Sequence, residues 1–144
     1  MTLPYGAPIT LDQARAVMAA AEAEAIAHDW SMVIAIVGSG SQLVMLHALD
    51  QAQHGSVPVA QAKAETAVNF RRPSKIFEDA VASGSLGLRL LGMHNLMPLD
   101  GGLPLIVDGR LIGAIGVSGM QSTQDAQVAA AGAAALARAE IGNR

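Results

Sequence analysis

The stretch from Asp100 to Asp125, DGGLPLIVDGRLIGAIGVSGMQSTQD, decides how this chain is to be read. It holds six glycines and two apolar runs ahead of a polar cluster. A phosphate cradle, a serine-nucleophile loop and a hairpin feeding a helix compete for it. The runs LPLIV and RLIGAIGV are joined by Asp108-Gly109, the kind of dipeptide that best tolerates positive φ at both central turn positions, so the spacing predicts a β-hairpin. Ser122 or Thr123, with Asp125 close behind, predicts the start of an alanine-rich helix through Ala139.

The two catalytic readings fail on spacing. A phosphate-binding glycine loop must lie between a strand and a helix whose free N–H groups face the anion. GAIGVSG precedes a helix but lacks both the P-loop lysine and the G-x-G-x-x-G spacing. Gly116-Val117-Ser118-Gly119 is not the G-x-S-x-G elbow of hydrolases, so Ser118 is read as a strand residue. The glycines at 113, 116 and 119 instead leave room for a ligand, a neighbouring helix or another subunit. Gly101 and Gly102, before Pro104, do the same at the strand entry.

Outward from this hairpin, Thr10 followed by Gln13 fits a capping box. Leu11, Ala14, Val17, Met18, Ala21 and Ala25 fall on one face of a helix from about Leu11 to His28. MVIAIV, GSGS and QLVMLHAL read as a first hairpin; because GSGS joins two strands, it too fails the phosphate test. Ser56 and Pro58 open a second helix through VAQAKAETAVNF, which Pro73 ends. Ser74 caps a short third helix, KIFEDAVA. LGLRLLGMHNLMP fits neither period and is read as a strand. The order α-β-β-α-α-β-β-β-α over residues 1–144 predicts one α+β domain, with a central antiparallel sheet of about five strands flanked by helices, layered as in profilin or PAS domains.

Composition limits the chemistry. With no cysteine, disulfides, thiolate metal sites and cysteine nucleophiles are ruled out. A formal charge of −3 with nine dispersed Lys and Arg gives no footprint for nucleic acid or an anionic membrane. One Trp, one Tyr and two Phe leave few platforms for stacking bases. No signal peptide or spanning run is evident, so a cytoplasmic protein is expected. Hydrophobic residues make up 51% and charged residues 15%, with 15 glycines besides; ordinary domains have roughly 45–50% apolar residues, glycine included, and about 25% charged. So few charges on a small domain predict surface hidden against copies of itself, a homo-oligomer.

Four histidines are candidate metal or haem ligands. His28 closes a helix, where it also suits the carbonyl end of the dipole. His47 alternates with Met45 and Leu49 in a strand, and His54 lies in a polar loop. His94, among Met93, Leu96 and Met97, has the apolar setting that a flat hydrophobic ligand needs. No pair has metal-site spacing. In KAETAVNFRRPSK, Lys63 and Thr66 share a helical face, and Phe70, Arg71 and Arg72 arrive at its end. The arginines there either bind carboxylates bidentately or cap the helix carbonyls.

These segments together carry a resemblance. ITLDQARAVMAAAEAEA, VIAIVGSGSQLVMLHALD, KAETAVNFRRPSK and GGLPLIVDGRLIGAIGVSGMQSTQDAQVAAAG are similar to the GlcG/HbpS family and, beyond it, to the C-terminal domain of PduO-type proteins. The likeness extends from Ile9 to about Ala135. It implies a layered antiparallel domain assembled into dimers or larger rings, up to octamers, and haem binding, or corrinoid-related or haem-degrading roles beside catabolic operons. Where relatives carry a glycine-bearing M-D-G-A run after the second strand, this chain has LDQAQHGS.

The leading expectation is therefore an oligomeric haem- or tetrapyrrole-binding protein. His94 is the preferred axial donor, with His28 and His47 behind it. Arg71 and Arg72 would pair the propionates, and Phe70, Gly101, Gly102, Gly116 and Gly119 would line the slot. The alternative is a catabolic enzyme or accessory factor acting on a small hydroxy or oxo carboxylate, with Lys63 or His94 carrying the proton and Arg71 or Arg72 holding the acid. A purely structural assembly subunit is the third reading.

Overall fold

The structure, a computed structural model, describes residues 2–142. Helix α1 (Leu11–Ala27) starts on the capping box expected of it: Thr10 and Gln13 exchange side-chain and backbone hydrogen bonds of 2.8 and 3.1 Å. Strands β1 (Val33–Gly38) and β2 (Leu43–Ala48) form the first hairpin. Helices α2 (Ser56–Phe70) and α3 (Lys75–Ala82) follow. Strands β3 (Gly102–Val107) and β4 (Arg110–Ser118) form the second hairpin, and α4 (Ser122–Gly142) closes the order. Asp108 and Gly109 both have positive φ, 50° and 74°, as the tight turn requires.

The sheet has four strands, all antiparallel, in the order β2-β1-β4-β3, not about five. The expected third strand, in 86–98, is a 3-10 helix over Ser85–Gly92 followed by an irregular stretch to Asp100. Two features account for it. The run from Leu86 to Leu99 contains no Val, Ile or Thr to favour the extended backbone. Gly87 also rests so close to the Ala80 carbonyl of α3 that a Cβ there would lie 1.8 Å from the oxygen.

Helices cover both faces of the sheet. Val33, Ala35 and Val37 of β1 meet Ala60, Ala64, Ala67 and Val68 of α2. Ile34 and Ile36 face α1 and α4 in the main core with Val17, Met18, Ile115, Val128 and Leu136. β1 is accordingly buried along its whole length, as a central strand covered on both sides must be. In β4 the alternation shifts at Ile112: Leu105 pairs with Gly113 and Ile106 with Leu111, leaving Ile112 as a bulge. Leu111 and Ala114 therefore both face α2 although three positions apart.

Residues 4–9 take up the edge of β4 that β1 leaves. Leu111 N donates to Pro4 O at 2.8 Å, Gly6 N to Leu111 O at 2.9 Å and Ile9 N to Ile112 O at 2.8 Å. The Tyr5 hydroxyl donates to Val68 O at 2.7 Å, tying the segment to the end of α2. Among the described residues no helix is long and apolar enough to cross a membrane.

Gly116 lets α2 lie directly on β4, since a Cβ there would stand 2.0 Å from Ala60 O and 2.5 Å from Ala64 N. Gly116→Ala is expected to lower the urea unfolding midpoint by an amount worth about 3 kcal/mol, because helix backbone rather than a flexible side chain must move.

Candidate functional site

Lys63 lies on the face of α2 that carries Ala60, Ala64 and Ala67, and is 2% exposed. Its Nζ donates to Val117 O of β4 at 2.9 Å and to Asp125 Oδ2 of α4 at 3.0 Å. Asp125 Oδ1 in turn accepts from Met120 N at 3.0 Å, which sets the turn into α4. Burial pushes the Asp125 carboxyl above the ordinary carboxylate range, with Lys63 pulling the other way. Gly101, at φ 124°, passes over this pair: a Cβ there would lie 2.6 Å from Val117 O and 3.0 Å from Lys63 Nζ.

The polar cluster continues along 99–102. Ser74 occupies the N-cap position of α3 without capping it. Its Oγ accepts from Gly102 N at 2.9 Å, its N donates to Gly102 O at 3.0 Å, and its hydroxyl donates to Leu99 O. Asp100, buried, accepts from Gly101 N at 2.8 Å. Its carboxyl is also raised, first by burial and further by Glu78, whose Oε1 accepts from Asp100 N at 3.3 Å.

The space beside the expected slot glycines is taken by this chain's own backbone. Gly101 and Gly102 back onto Lys63, Gly116 onto α2, and Gly119 onto Ser31 O, 2.7 Å from where its Cβ would be. The recess expected beside 113–119 is thus filled from within the protomer. Lys63 is enclosed, and its ammonium group is held on Val117 and Asp125. It stands eight residues before Arg71, about 12 Å along the helix at 1.5 Å per residue. Arg71, the left-handed C-cap of α2 at φ 56°, lies over the Tyr5 ring at 5.4 Å and donates to Leu3 O at 3.3 Å. Arg72 donates from Nε to Phe70 O at 2.9 Å, one of the two roles open to it in the sequence. Phe70 packs edge-on against Phe77 at 5.4 Å.

The histidines are dispersed. His28 stacks on Trp30 at 4.4 Å and lies 3.5 Å from Glu24 and 3.2 Å from Gln127. His47 pairs with Glu22. His94 is exposed, and no hydrogen bond or ion pair engages its ring among the described residues. It follows the 3-10 helix in a segment whose Leu86, Leu88, Leu91, Met93 and Leu99 are 38–73% exposed, with Ile76 of α3 at 50%. Arg89 is exposed in the same segment. Leu96, buried, and the 2.8 Å bond from Met97 N to Thr66 Oγ1 hold the segment to α2. Among the described residues no group of three or more His, Cys, Asp or Glu side chains is placed to hold a metal ion.

Sequence reasoning placed Lys63 among the polar residues but missed its partner Asp125 and the buried Asp100 nearby, and it read Ser74 only as a cap. The available signal was a lysine on the alanine face of a helix, since a cation there requires a buried partner. Lys63→Met leaves the Asp125 carboxylate buried and unpaired and is expected to cost about 3–5 kcal/mol in chemical denaturation, while Lys63→Met with Asp125→Leu recovers most of it. For Asp100 the raised carboxyl means that the folded state holds the proton more tightly than the unfolded one, whose value is 3.8. Its contribution is favourable at low pH and is lost as pH rises through the folded value. Asp100→Asn should therefore be more stable than the parent at pH 7, with the gain shrinking as the melts are repeated below pH 4.

Comparison with known proteins gives this architecture its relatives. The family model described as haem degrading protein HbpS-like matches residues 9–134. Protein GlcG of Escherichia coli strain K12 is 39% identical over 110 residues, covering 76% of this chain and 81% of GlcG. A PduOC:haem complex superposes with a TM-score of 0.81 at 27% identity, over 89% of this chain and 94% of that one. HbpS of Streptomyces reticuli, solved as a double mutant, superposes with a TM-score of 0.82 at 28% identity, over 92% and 89%. The chain belongs to the HbpS-like family.

Proposed function

We propose that this protein is a homo-oligomeric haem- or tetrapyrrole-binding protein, with His94 as the axial donor. The observation that carries the reading is the exposed apolar segment 85–99: it presents an unengaged imidazole amid Leu86, Leu88, Leu91 and Met93, on a chain with only 15% charged residues. A haem site needs an apolar surface, an axial donor and cations for the propionates. The segment supplies the first two on the outside of the protomer, a donor set that suits haem held against the surface or between subunits. Arg89 in the segment itself is exposed and free to meet a propionate, while Arg71 and Arg72, exposed but held on Leu3 O, Tyr5 and Phe70 O, would have to leave those contacts to do so. His28 and His47 are less suited, because Trp30 and Glu24 hold the one and Glu22 the other.

Family membership and the haem complex of the PduOC relative support the ligand class. The bound group would supply redox or oxygen chemistry; this chain's residues would bind it, orient it and shield one face from water. A second copy covering segment 85–99 would complete the enclosure and account for the leucines left in water by the protomer.

Titration with haem is expected to give a shifted, saturable Soret band that His94→Ala abolishes and that His28→Ala and His47→Ala leave in place. A spectrum of free haem at excess protein, or a band indifferent to His94→Ala, would reject the assignment.

A further inference from the structure

We propose that a cavity at the carboxyl end of α1 binds an organic cation of the guanidinium or alkylammonium class. The cavity, about 230 Å³, is lined by Ile26, Asp29, Trp30, Ser31, Leu49 and Asp50. It is built where the chain leaves α1, enters β1 and comes off β2, and the 2.9 Å bond from Leu49 N to Met32 O fixes the two walls against each other.

Four features of the lining point to the same ligand chemistry. The first is charge: Asp29 and Asp50 line one cavity, and neither carboxylate has a hydrogen-bond or ion-pair partner among the described residues. Asp12, Glu22, Glu24, Asp79 and Asp125, in contrast, each pair with a basic side chain. The second is the Trp30 ring. His28 stacks on it at 4.4 Å and 16°, which fixes the indole, and Trp30 is part of the cavity lining. A fixed indole attracts a cation through its quadrupole.

The third feature is the helix end. Chain direction turns at Asp29, which takes a left-handed φ of 56°. The turn ends α1, whose Ile26 lines the cavity, so the site lies at the negative end of the helix dipole, although Ala25 O and Ile26 O already accept from the N–H groups of Trp30 and Asp29. The fourth is the apolar remainder: Ile26 and Leu49 offer a wall for an alkyl stem rather than for a bare ion. Two carboxylates beside one aromatic ring and two aliphatic side chains suit a planar guanidinium on a methylene chain. A divalent metal, which demands a shell of oxygen ligands, fits this lining poorly.

The site uses none of segment 85–99, so its occupancy is read separately from haem binding. Trp30 is the single tryptophan of the chain, which makes its fluorescence a direct report on the cavity. Agmatine, titrated at low salt, is expected to change that fluorescence saturably. Asp29→Asn with Asp50→Asn should weaken the binding about tenfold or more, as the loss of charge-assisted contacts predicts. Both positions are exposed, and circular dichroism of the double variant checks that its fold is intact. Calorimetry repeats the titration on Trp30→Phe, where weaker but measurable binding is expected.

A blocked arginine peptide in parallel distinguishes the two sources of the cation: tighter binding of the peptide assigns the cavity to a side chain of another protein, tighter binding of agmatine to a free small molecule. If neither ligand saturates, or if the double variant binds as well as the parent, the proposal fails.

Discussion

The structure depends on a buried ammonium group. Lys63 Nζ ties α2 to the end of β4 through the Val117 carbonyl and to the start of α4 through Asp125, while the backbone of Gly101 passes overhead. Two helices from opposite faces of the sheet and the loop entering β3 thus share one charge. Burying an ion pair is expensive in desolvation and gains its return in specificity only when the geometry is fully satisfied. Here it is, since no buried side-chain nitrogen or oxygen among the described residues lacks a hydrogen-bond partner. The glycines follow from the same constraint: at 101, 102 and 116 any side chain would push α2 and its lysine away from the sheet.

This arrangement turns the interior into scaffold and leaves the unengaged side chains to the periphery. The helix that carries Lys63 ends in Phe70, Arg71 and Arg72, and its Thr66 holds Met97 of the apolar segment. His94 is therefore presented by a loop that is anchored at Leu96 and Met97 but otherwise open. Loops positioned by a rigid frame are where binding groups concentrate. The layered frame itself is what the chain shares with its HbpS and PduOC relatives, at TM-scores of 0.82 and 0.81.

Much of the fold was legible because local signals agreed with one another. The Thr10–Gln13 box, Asp108-Gly109, the Pro58 start and the Pro73 stop each act within a few residues, and the elements they bound appear as read. The segment from Leu86 to Leu99 misled because its leucines follow neither period; it reads as a strand, and it forms a 3-10 helix and an irregular stretch on the surface instead. The charged pair was illegible for another reason. Lys63 and Asp125 are 62 residues apart, and nothing local to either names the other; Asp125 had a sufficient explanation as a helix-start acid. Similarly, Asp29, Trp30 and Asp50 come together only through the register of the first hairpin with the end of α1. The glycines signalled close approach correctly, but not what approaches.

The short segment of residues 4–9 decides what the open part of β4 presents to water. It lies along β4 beyond the point where β1 stops, giving the central strand a substitute neighbour held by three backbone hydrogen bonds and by Tyr5. Leu3, packed against the α2 and β4 core and bonded through its carbonyl to Arg71, continues the same attachment. Without the segment, Leu111 N, Leu111 O and Ile112 O would be left as unpaired main-chain groups on β4. The edge of β4 that β1 leaves is thus closed from within the protomer, with the Tyr5 phenol as a latch on the last turn of α2.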